Sequence, residues 1–553
     1  MNYIHSLLKM SHLKKPHIIL LAFVVGVLYR LLLSLQGLDA VDAGFNMTYF
    51  QHIFDRPDAM PYSFCYYLTG LVGGCWHWAF GSWGLWGSRL FEILTMSAAV
   101  LLTYQSFKPW LPSQRMAGWA ILMSFLFPSF VIVFHYNTLT FLLIASSAYC
   151  MRRWAQGDSK GWLVAAGYLV GLCFFARIVN VSMAALCLIL LMAGWRTSAK
   201  RALSLGSIYA GGMLMGVLSV VALLLLTHQW IYFQEGVMDA FGFFHGEGTS
   251  HTSGNLIIVY LKSWLNIGLQ VLALALIFFL YVKAEQCPKP WRISARTALI
   301  IALFVLIVTS LPVLSAFASC LVLMLVPAFR REISSTLMIL LGYVILAASL
   351  FPLGSDMGVP GVYHWYGALM VVPAACCVAQ SSWEGYRPVL WYLYGFVFIA
   401  LVGKTILKPY GEQQPRYMLT EQALDGKLNV WTAPDRARQY QHIVACIEKY
   451  DTDNPYMLIG NQASELYYAT NRLPFTSNTQ METFTGDRLF AILDKQQRRH
   501  GRLPLVVFLK RGHEKPSPDD YQTSLYPWLQ TQHYEVVYED EDLKLFSTNK
   551  NKN

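Results

Sequence analysis

Between residues 17 and 408, apolar stretches of membrane-spanning length alternate with short polar connections, and beyond residue 408 the alternation stops. A helix needs about 20 apolar residues to cross a bilayer. Runs that could serve begin near residues 17, 84, 116, 137, 161, 179, 202, 254, 297, 313, 334, 365 and 388, which predicts about thirteen crossings. Two stretches decide that count. "TALIIALFVLIVTSLPVLSAFASCLVLMLVPAF", residues 297 to 329, is too long for one ordinary span and has basic residues on both flanks, so two short spans turning near Pro312 keep both flanks on one side. "PYSFCYYLTGLVGGCWHWAFG", residues 61 to 81, is apolar enough to cross but rich in Gly, Tyr, Trp and His. It reads as a helix lying in the outer interface, where aromatic residues are favoured.

With those assignments the loops sort by charge. Lys9 to Lys15, Lys108 with Arg115, Arg152, Arg153 and Lys160, Arg196 to Arg201, Lys283 to Arg296, Arg330 with Arg331, and Arg387 fall on the cytoplasmic side. The opposite side receives Asp39, Asp42, Asp55, Asp58, Glu235, Asp239, His245, Glu247, His251, Asp356 and His364. The net charge of +10 is then a topology signal, and no nucleic-acid partner is invoked. The start of the chain is expected in the cytoplasm, followed by an uncleaved first span.

After residue 409 the pattern changes to that of an α/β domain. "RARQYQHIVACIEKY" has helical apolar spacing, "YMLIG" is a short buried strand, "DRLFAILDKQQRRH" a helix, "LPLVVFLK" a strand and "HYEVVYEDEDLKLFST" a closing hairpin. An odd number of crossings from a cytoplasmic start leaves this segment outside, beside the acidic loops. The expected organisation is therefore a transmembrane part over 1–408, with its first outer loop at 37–83, and an extracytoplasmic soluble α/β domain over 409–553. Composition agrees: the 553 residues are 55% hydrophobic and only 13% charged, which describes an α-helical polytopic membrane protein; an inner or plasma membrane is the expected location. The ten cysteines form no metal-binding pattern, and Cys446 stands alone in the polar tail.

Chemistry is sought on the acidic side. In "GLDAVDAGFNMTYF", Asp39 and Asp42 follow the first span within a few residues, and Phe45, Tyr49 and Phe50 come next at helical spacing. A carboxylate held at the membrane boundary beside apolar walls can have its pKa raised, which suits a general base for a hydroxyl nucleophile. Arg89 and Arg177 lie at outer ends of spans, where a charge is costly unless paired or facing water. Glu92, one turn after Arg89, is its expected partner and favours a structural role there; Arg177 has no acid at that spacing and is the better phosphate ligand. "FFHGEGTSHTSGN" reads as a polar lid with His251, followed by Lys262 near the start of a span. "FPLGSDMGVPGVYHWYG" carries Asp356 and His364 and has Gly and Pro where a re-entrant or substrate-lining loop needs them. No Walker motif, dinucleotide fingerprint or serine-triad signature stands out.

An acid soon after the first span, an aromatic three positions on, an interface segment, and then "FGSWGLWGSRLFEIL" leading into the second span resemble the GT-C glycosyltransferases that use polyprenyl-phosphate-linked sugars. The bacterial families similar to dolichyl-phosphate-mannose-protein mannosyltransferases and to aminoarabinose transferases belong there. Asp42 and Phe45 occupy the acid and aromatic places and Arg89 the later basic one, while Ala43 stands where a second acid is common. "GYLVGLCFFARIVN" is similar to the family's Gly-rich span ending in a basic residue, here Arg177. "FHYNTLTFLL" resembles the start of its fourth span, and "YMLIGNQASELYYATNRLPF" is similar to a strand-helix signature of the outer domain. The resemblance implies sugar transfer at the outer, periplasmic face with inversion: Asp42 or Asp39 deprotonates an acceptor hydroxyl on a lipid, glycan or protein. Arg177, with Lys262 or His251, then meets the leaving polyprenyl phosphate. No cofactor is expected; a divalent cation held between Asp39 and Asp42 is the alternative. Rival classes are a transporter or flippase of lipid-linked saccharides and a glycan polymerase or ligase of another membrane fold.

Overall fold

The computed structural model describes residues 16–39, 41–126, 133–245, 252–309, 312–329, 333–380, 387–407, 409–450, 453–480, 487–510 and 518–548. The long apolar runs form helices: α1 (Pro16–Ser34), then the short α2 (Asp42–His52) and α3 (Tyr67–Phe80), then α4 (Gly84–Phe107), α5 (Gln114–Leu126), α6 (Tyr136–Ala155) and α7 (Gly161–Ala176). A 3-10 segment, Ile178–Leu186, leads into α8 (Cys187–Trp195), followed by α9 (Ala199–Leu226), α10 (Trp230–His245) and α11 (Ser253–Lys283). The helical part closes with α12 (Lys289–Thr309), α13 (Pro312–Phe329), α14 (Ser335–Leu350), α15 (Gly358–Tyr366), α16 (Ala368–Gln380) and α17 (Arg387–Leu407).

Every predicted run carries a helix, but the count of about thirteen crossings is only partly met. Among the described residues, six helical stretches are long and apolar enough to cross a bilayer, or seven if α15 and α16, bent by 77° at their junction, form one span. The apolar stretches Gly161–Ala176, Leu314–Leu325, Ser335–Leu350 and Gly395–Leu407 are shorter. The run at 297–329 is two helices, α12 and α13, on either side of residues 310–311. Residues 61–81 are helical too, a 3-10 turn Pro61–Tyr66 continuing as α3.

Glycine decides two of the closest contacts. On α7, a Cβ at Gly167 or Gly171 would lie 2.1 Å from the Tyr209 carbonyl or 2.2 Å from that of Met213. On α9, Gly212 and Gly216 meet Val164 and Tyr168 in the same way. The two backbones therefore touch along a small-residue seam, the arrangement that lets helices associate without polar bonds. Between α1 and α4, Arg30 and Glu92 form a fully buried ion pair at 3.2 Å, with neither side chain exposed. This corrects the local reading of Glu92 as the partner of Arg89: the neighbouring helix, not the next turn, supplies the counter-charge.

The C-terminal region starts with a two-stranded ribbon of β1 (Glu421–Gln422) and β2 (Trp431–Thr432), then α18 (Pro434–Lys449), β3 (Tyr456–Ile459), α19 (Glu465–Thr470), β4 (Leu473–Pro474), α20 (Asp487–His500), β5 (Leu505–Leu509), α21 (Pro518–Thr531), β6 (Tyr534–Glu539) and β7 (Leu543–Thr548). The five-stranded sheet has the order β4-β3-β5-β7-β6. β3 runs parallel to β4 and β5, and the β6–β7 hairpin adds antiparallel to β5. Strands β3 and β5 are buried along their whole length, as their unbroken apolar runs require.

This region lies against one end of the helical part. Trp431 exchanges backbone hydrogen bonds with Leu35 and Gly37, Leu85 N–H donates to the Lys427 carbonyl, and Arg56 donates to the Tyr456 hydroxyl at 2.8 Å. Glu235 on α10 pairs with Lys495 at 2.7 Å and with Arg499 at 3.4 Å. Leu35, Gly37, Arg56, Leu85 and Glu235, all in segments expected on the acidic side, thus lie against the C-terminal region.

Candidate functional site

The loop after α1 is fixed from three directions. Arg89, near the start of α4, donates to the backbone carbonyls of Ser34 at 2.7 Å, Gln36 at 3.3 Å and Gly37. The Ser34 carbonyl is one that the end of a helix leaves without an intrahelical partner, and the other two belong to the loop beyond it. Glu412 accepts from the Leu38 N–H at 2.7 Å and from the Thr432 hydroxyl, and its other oxygen pairs with Arg436 at 3.2 Å. Arg416 donates to the Leu33 carbonyl at 3.0 Å. Arg89 is therefore a clamp on the backbone.

Asp39 and Asp42 turn out to have different jobs. Asp39 is buried, and its two carboxylate oxygens accept the backbone N–H of Val41 at 3.2 Å and of Ala43 at 2.7 Å, so it caps the incoming α2. Burial raises its pKa, against the opposing pull of those two N–H groups and of Arg89 and Arg436. Asp42 opens α2 and is half-buried, and one of its oxygens accepts the Tyr410 hydroxyl at 3.1 Å. Burial, and then the charges of Asp42 and Asp39, hold the Tyr410 hydroxyl far above the ordinary tyrosine range. Tyr410 therefore stays a neutral donor that orients the Asp42 carboxylate.

Across from Asp42 stands Tyr136, the first residue of α6. Asp42, Arg177 and Asp356 all lie close enough to act electrostatically on its hydroxyl. The Arg177 guanidinium sits 5.5 Å from the centroid of the Tyr136 ring and donates to the Phe351 carbonyl at 3.3 Å. Arg177 ends α7 in extended backbone (φ −157°, ψ 124°), which turns the chain into the 3-10 segment and leaves the guanidinium beside the 351–357 loop. Tyr66 also stacks on Tyr136, with centroids 4.5 Å apart and planes 19° apart. His135 packs edge-on against Trp365 at 4.9 Å and bonds Thr138 at 2.9 Å. The result is an aromatic wall with one carboxylate, one guanidinium and a second carboxylate around it.

Of the residues expected to act, Asp42, Arg177 and Asp356 gather here. His364 is buried on α15, next to Trp365. Arg89 and Asp39 stand behind the site, holding its loop. Lys262 is exposed on α11, one position before Ser263, which touches Gly358 at the start of α15. His251 lies outside the described residues. Tyr136, Tyr66, His135, Trp365 and Tyr410 were not foreseen. "FHYNTLT" held the only signal, a His and a Tyr side by side at the mouth of a span.

The C-terminal region reaches the same loop through α19. A Cβ at Gly44 would lie 1.9 Å from the Glu465 backbone nitrogen, so only glycine allows α2 and α19 this approach. Glu465 is itself buried and accepts the Tyr440 hydroxyl. Burial pushes its pKa well up, opposed by Tyr440 and Arg436 and reinforced by Asp39. The sequence matches no protein-family model, and a search of curated proteins finds none significantly similar to it.

Proposed function

We propose that this chain is a membrane glycosyltransferase of GT-C type that moves a sugar from a polyprenyl-phosphate donor to an acceptor hydroxyl, with inversion, at the outer face of an inner or plasma membrane. The observation that carries the reading is that Arg177, far from Asp42 in the chain, lies over the ring of Tyr136, with Asp42 near enough to act electrostatically on that tyrosine's hydroxyl. A carboxylate and a guanidinium flanking an aromatic wall are what such a transfer needs. The carboxylate takes the proton of the attacking hydroxyl, and the sugar packs on the rings. The forked donors of arginine meet the phosphate as it leaves. Tyr410 keeps Asp42 aimed, and Asp356, near enough to act electrostatically on the Tyr136 hydroxyl, would bond sugar hydroxyls. A lipid donor accounts for a site at the end of apolar helices. Residues 409–553 form, on this reading, an extracytoplasmic domain that completes the pocket.

Asp42→Asn should abolish transfer while melting as wild type, and Arg177→Ala should lose donor binding that Arg177→Lys partly restores. Asp39→Ala should instead lower stability, since it removes the acceptor of the Val41 and Ala43 N–H groups, a cap worth about 0.5–2 kcal/mol. Full activity of Asp42→Asn would sink the mechanism, as would complete inhibition by a chelator, reversed by magnesium or manganese, in a chain that also carries Cys446→Ala. Saccharide translocation without transfer would favour the flippase. A reporter fused after Lys408 should be active only when exported; a cytoplasmic signal would overturn the proposed topology.

A further inference from the structure

The tail's single cysteine has company. His442 and Cys446 lie four apart on α18 and so share a face. Asp540, in the turn between β6 and β7, meets them there, and one ligand atom from each of the three lies within 4.8 Å of the others. His442 Nε2 is 2.6 Å from Asp540 Oδ2 and 3.7 Å from Cys446 Sγ. We propose that His442, Cys446 and Asp540 bind a borderline-soft divalent cation of the zinc class, separate from the sugar-transfer site.

The donors are one nitrogen, one sulfur and one oxygen, the set that zinc takes in four-coordinate sites. With metal–sulfur and metal–nitrogen bonds of about 2.3 and 2.0–2.1 Å, tetrahedral geometry puts sulfur and nitrogen about 3.6 Å apart, which is close to the observed 3.7 Å. The imidazole–carboxylate contact at 2.6 Å must open by under about 1 Å to the separation of two ligands on one metal. The carboxylate is held for such a task. Its Oδ1 accepts the backbone N–H of Asp542 at 2.8 Å and of Leu543 at 3.0 Å, and its Oδ2 accepts the Tyr538 hydroxyl at 2.7 Å. Metal-ligating carboxylates are commonly supported by such outer hydrogen bonds. A nucleophilic Cys-His-Asp triad fits less well, because the acid and the thiol both make their closest approach to the same ring nitrogen, whereas a triad uses the two nitrogens separately. His442 is partly exposed, so an ion can enter, and water can supply the fourth ligand. Bound metal would pin α18 to the closing hairpin and stabilise the C-terminal region by mass action.

The test uses the full chain in detergent, stripped with chelator and titrated with zinc and, separately, with cobalt. Wild type should bind one zinc per chain, melt higher with zinc than without, and show a thiolate-to-cobalt charge-transfer band. Cys446→Ala and His442→Ala should lose the zinc, the melting shift and the band, with metal-free melting recorded to confirm that both fold. Tyr538→Phe should weaken binding by about 10- to 100-fold. No stoichiometric zinc on wild type, or zinc retained by Cys446→Ala with no thiolate band from wild type, would overturn the proposal.

Discussion

Gly44→Ala should uncouple the C-terminal region from the loop that carries Asp42. The added methyl lands 1.9 Å from the Glu465 nitrogen, 2.2 Å from the Ser464 carbonyl carbon and 2.3 Å from the Glu465 Cα, all backbone atoms of α19 that have no rotamer with which to yield. Ordinary contact begins at 3.4 Å, so going from 1.9 to 3.4 Å separates the two helices by about 1.5 Å. Overpacking costs typically about 1–3 kcal/mol, and a clash confined to backbone belongs at the upper end. On a scale of about 2–4 °C per kcal/mol for a domain of 150–250 residues, melting drops by several degrees. The 3.1 Å bond from Tyr410 to Asp42, two residues from the methyl, does not survive a shift of that size. Misplacing a reacting group by about 1 Å can cost 10²-fold in rate, so on the proposed function sugar transfer should fall by about that factor. The assays are thermal unfolding and limited proteolysis of the detergent-solubilised chain, followed by transfer from a lipid-linked sugar. Gly211→Ala in α9, where an added Cβ meets nothing within 4 Å, is the matched control. Wild-type melting and protease resistance in Gly44→Ala would refute the close approach of α2 and α19.

Removing the Glu92 carboxylate from its fully buried pair with Arg30 by Glu92→Ala should cost about 3–5 kcal/mol, whereas the double replacement by methionines should be neutral or stabilising; equal destabilisation in both would show that the pair is not the cause. Glu465 supplies a pH signature. Its folded-state pKa is raised by burial, so its contribution to stability is whole below about 4.5, its ordinary value, and is lost as pH rises through the folded-state pKa. His500, lowered by burial to about 4, works in the opposite sense as pH falls. The difference between wild type and Glu465→Gln isolates the former: the variant should gain on wild type as pH rises, and parallel melting curves from pH 5 to 8 would contradict the raised pKa.

Local periodicity was enough for much of the fold, and it failed where tertiary partners decide. α18, β3, α20, β5 and the closing hairpin could be read from the chain because each alternates with the period of its own structure. α19 is only six residues long, and α21 is polar with Pro527 inside it, so neither advertised itself. Spacing paired Arg89 with Glu92, but Arg30 on another helix reached Glu92 and three carbonyls took Arg89. Two acids three apart looked alike in sequence; an N–H two and another four residues on made one a cap and left the other facing the aromatic wall. Tyr136 and Tyr66 stayed hidden because tyrosine at the mouth of a span is ordinary interfacial anchoring. The span count rested on a length of about 20 residues, which α7, at 16, does not reach.

The ribbon of Trp431 against Leu35 and Gly37 sets an order on the making of this protein. Leu38 waits for Glu412, which lies 374 positions later in the chain, and Asp42 waits for Tyr410, 368 positions later. Contacts of such separation close late in folding. A ribosome therefore delivers the whole helical part before the loop that carries Asp42 can settle, and a chain cut short after α17 would lack the Glu412 and Tyr410 bonds that fix that loop. The 38–42 loop is thus set only once the last quarter of the polypeptide has been made.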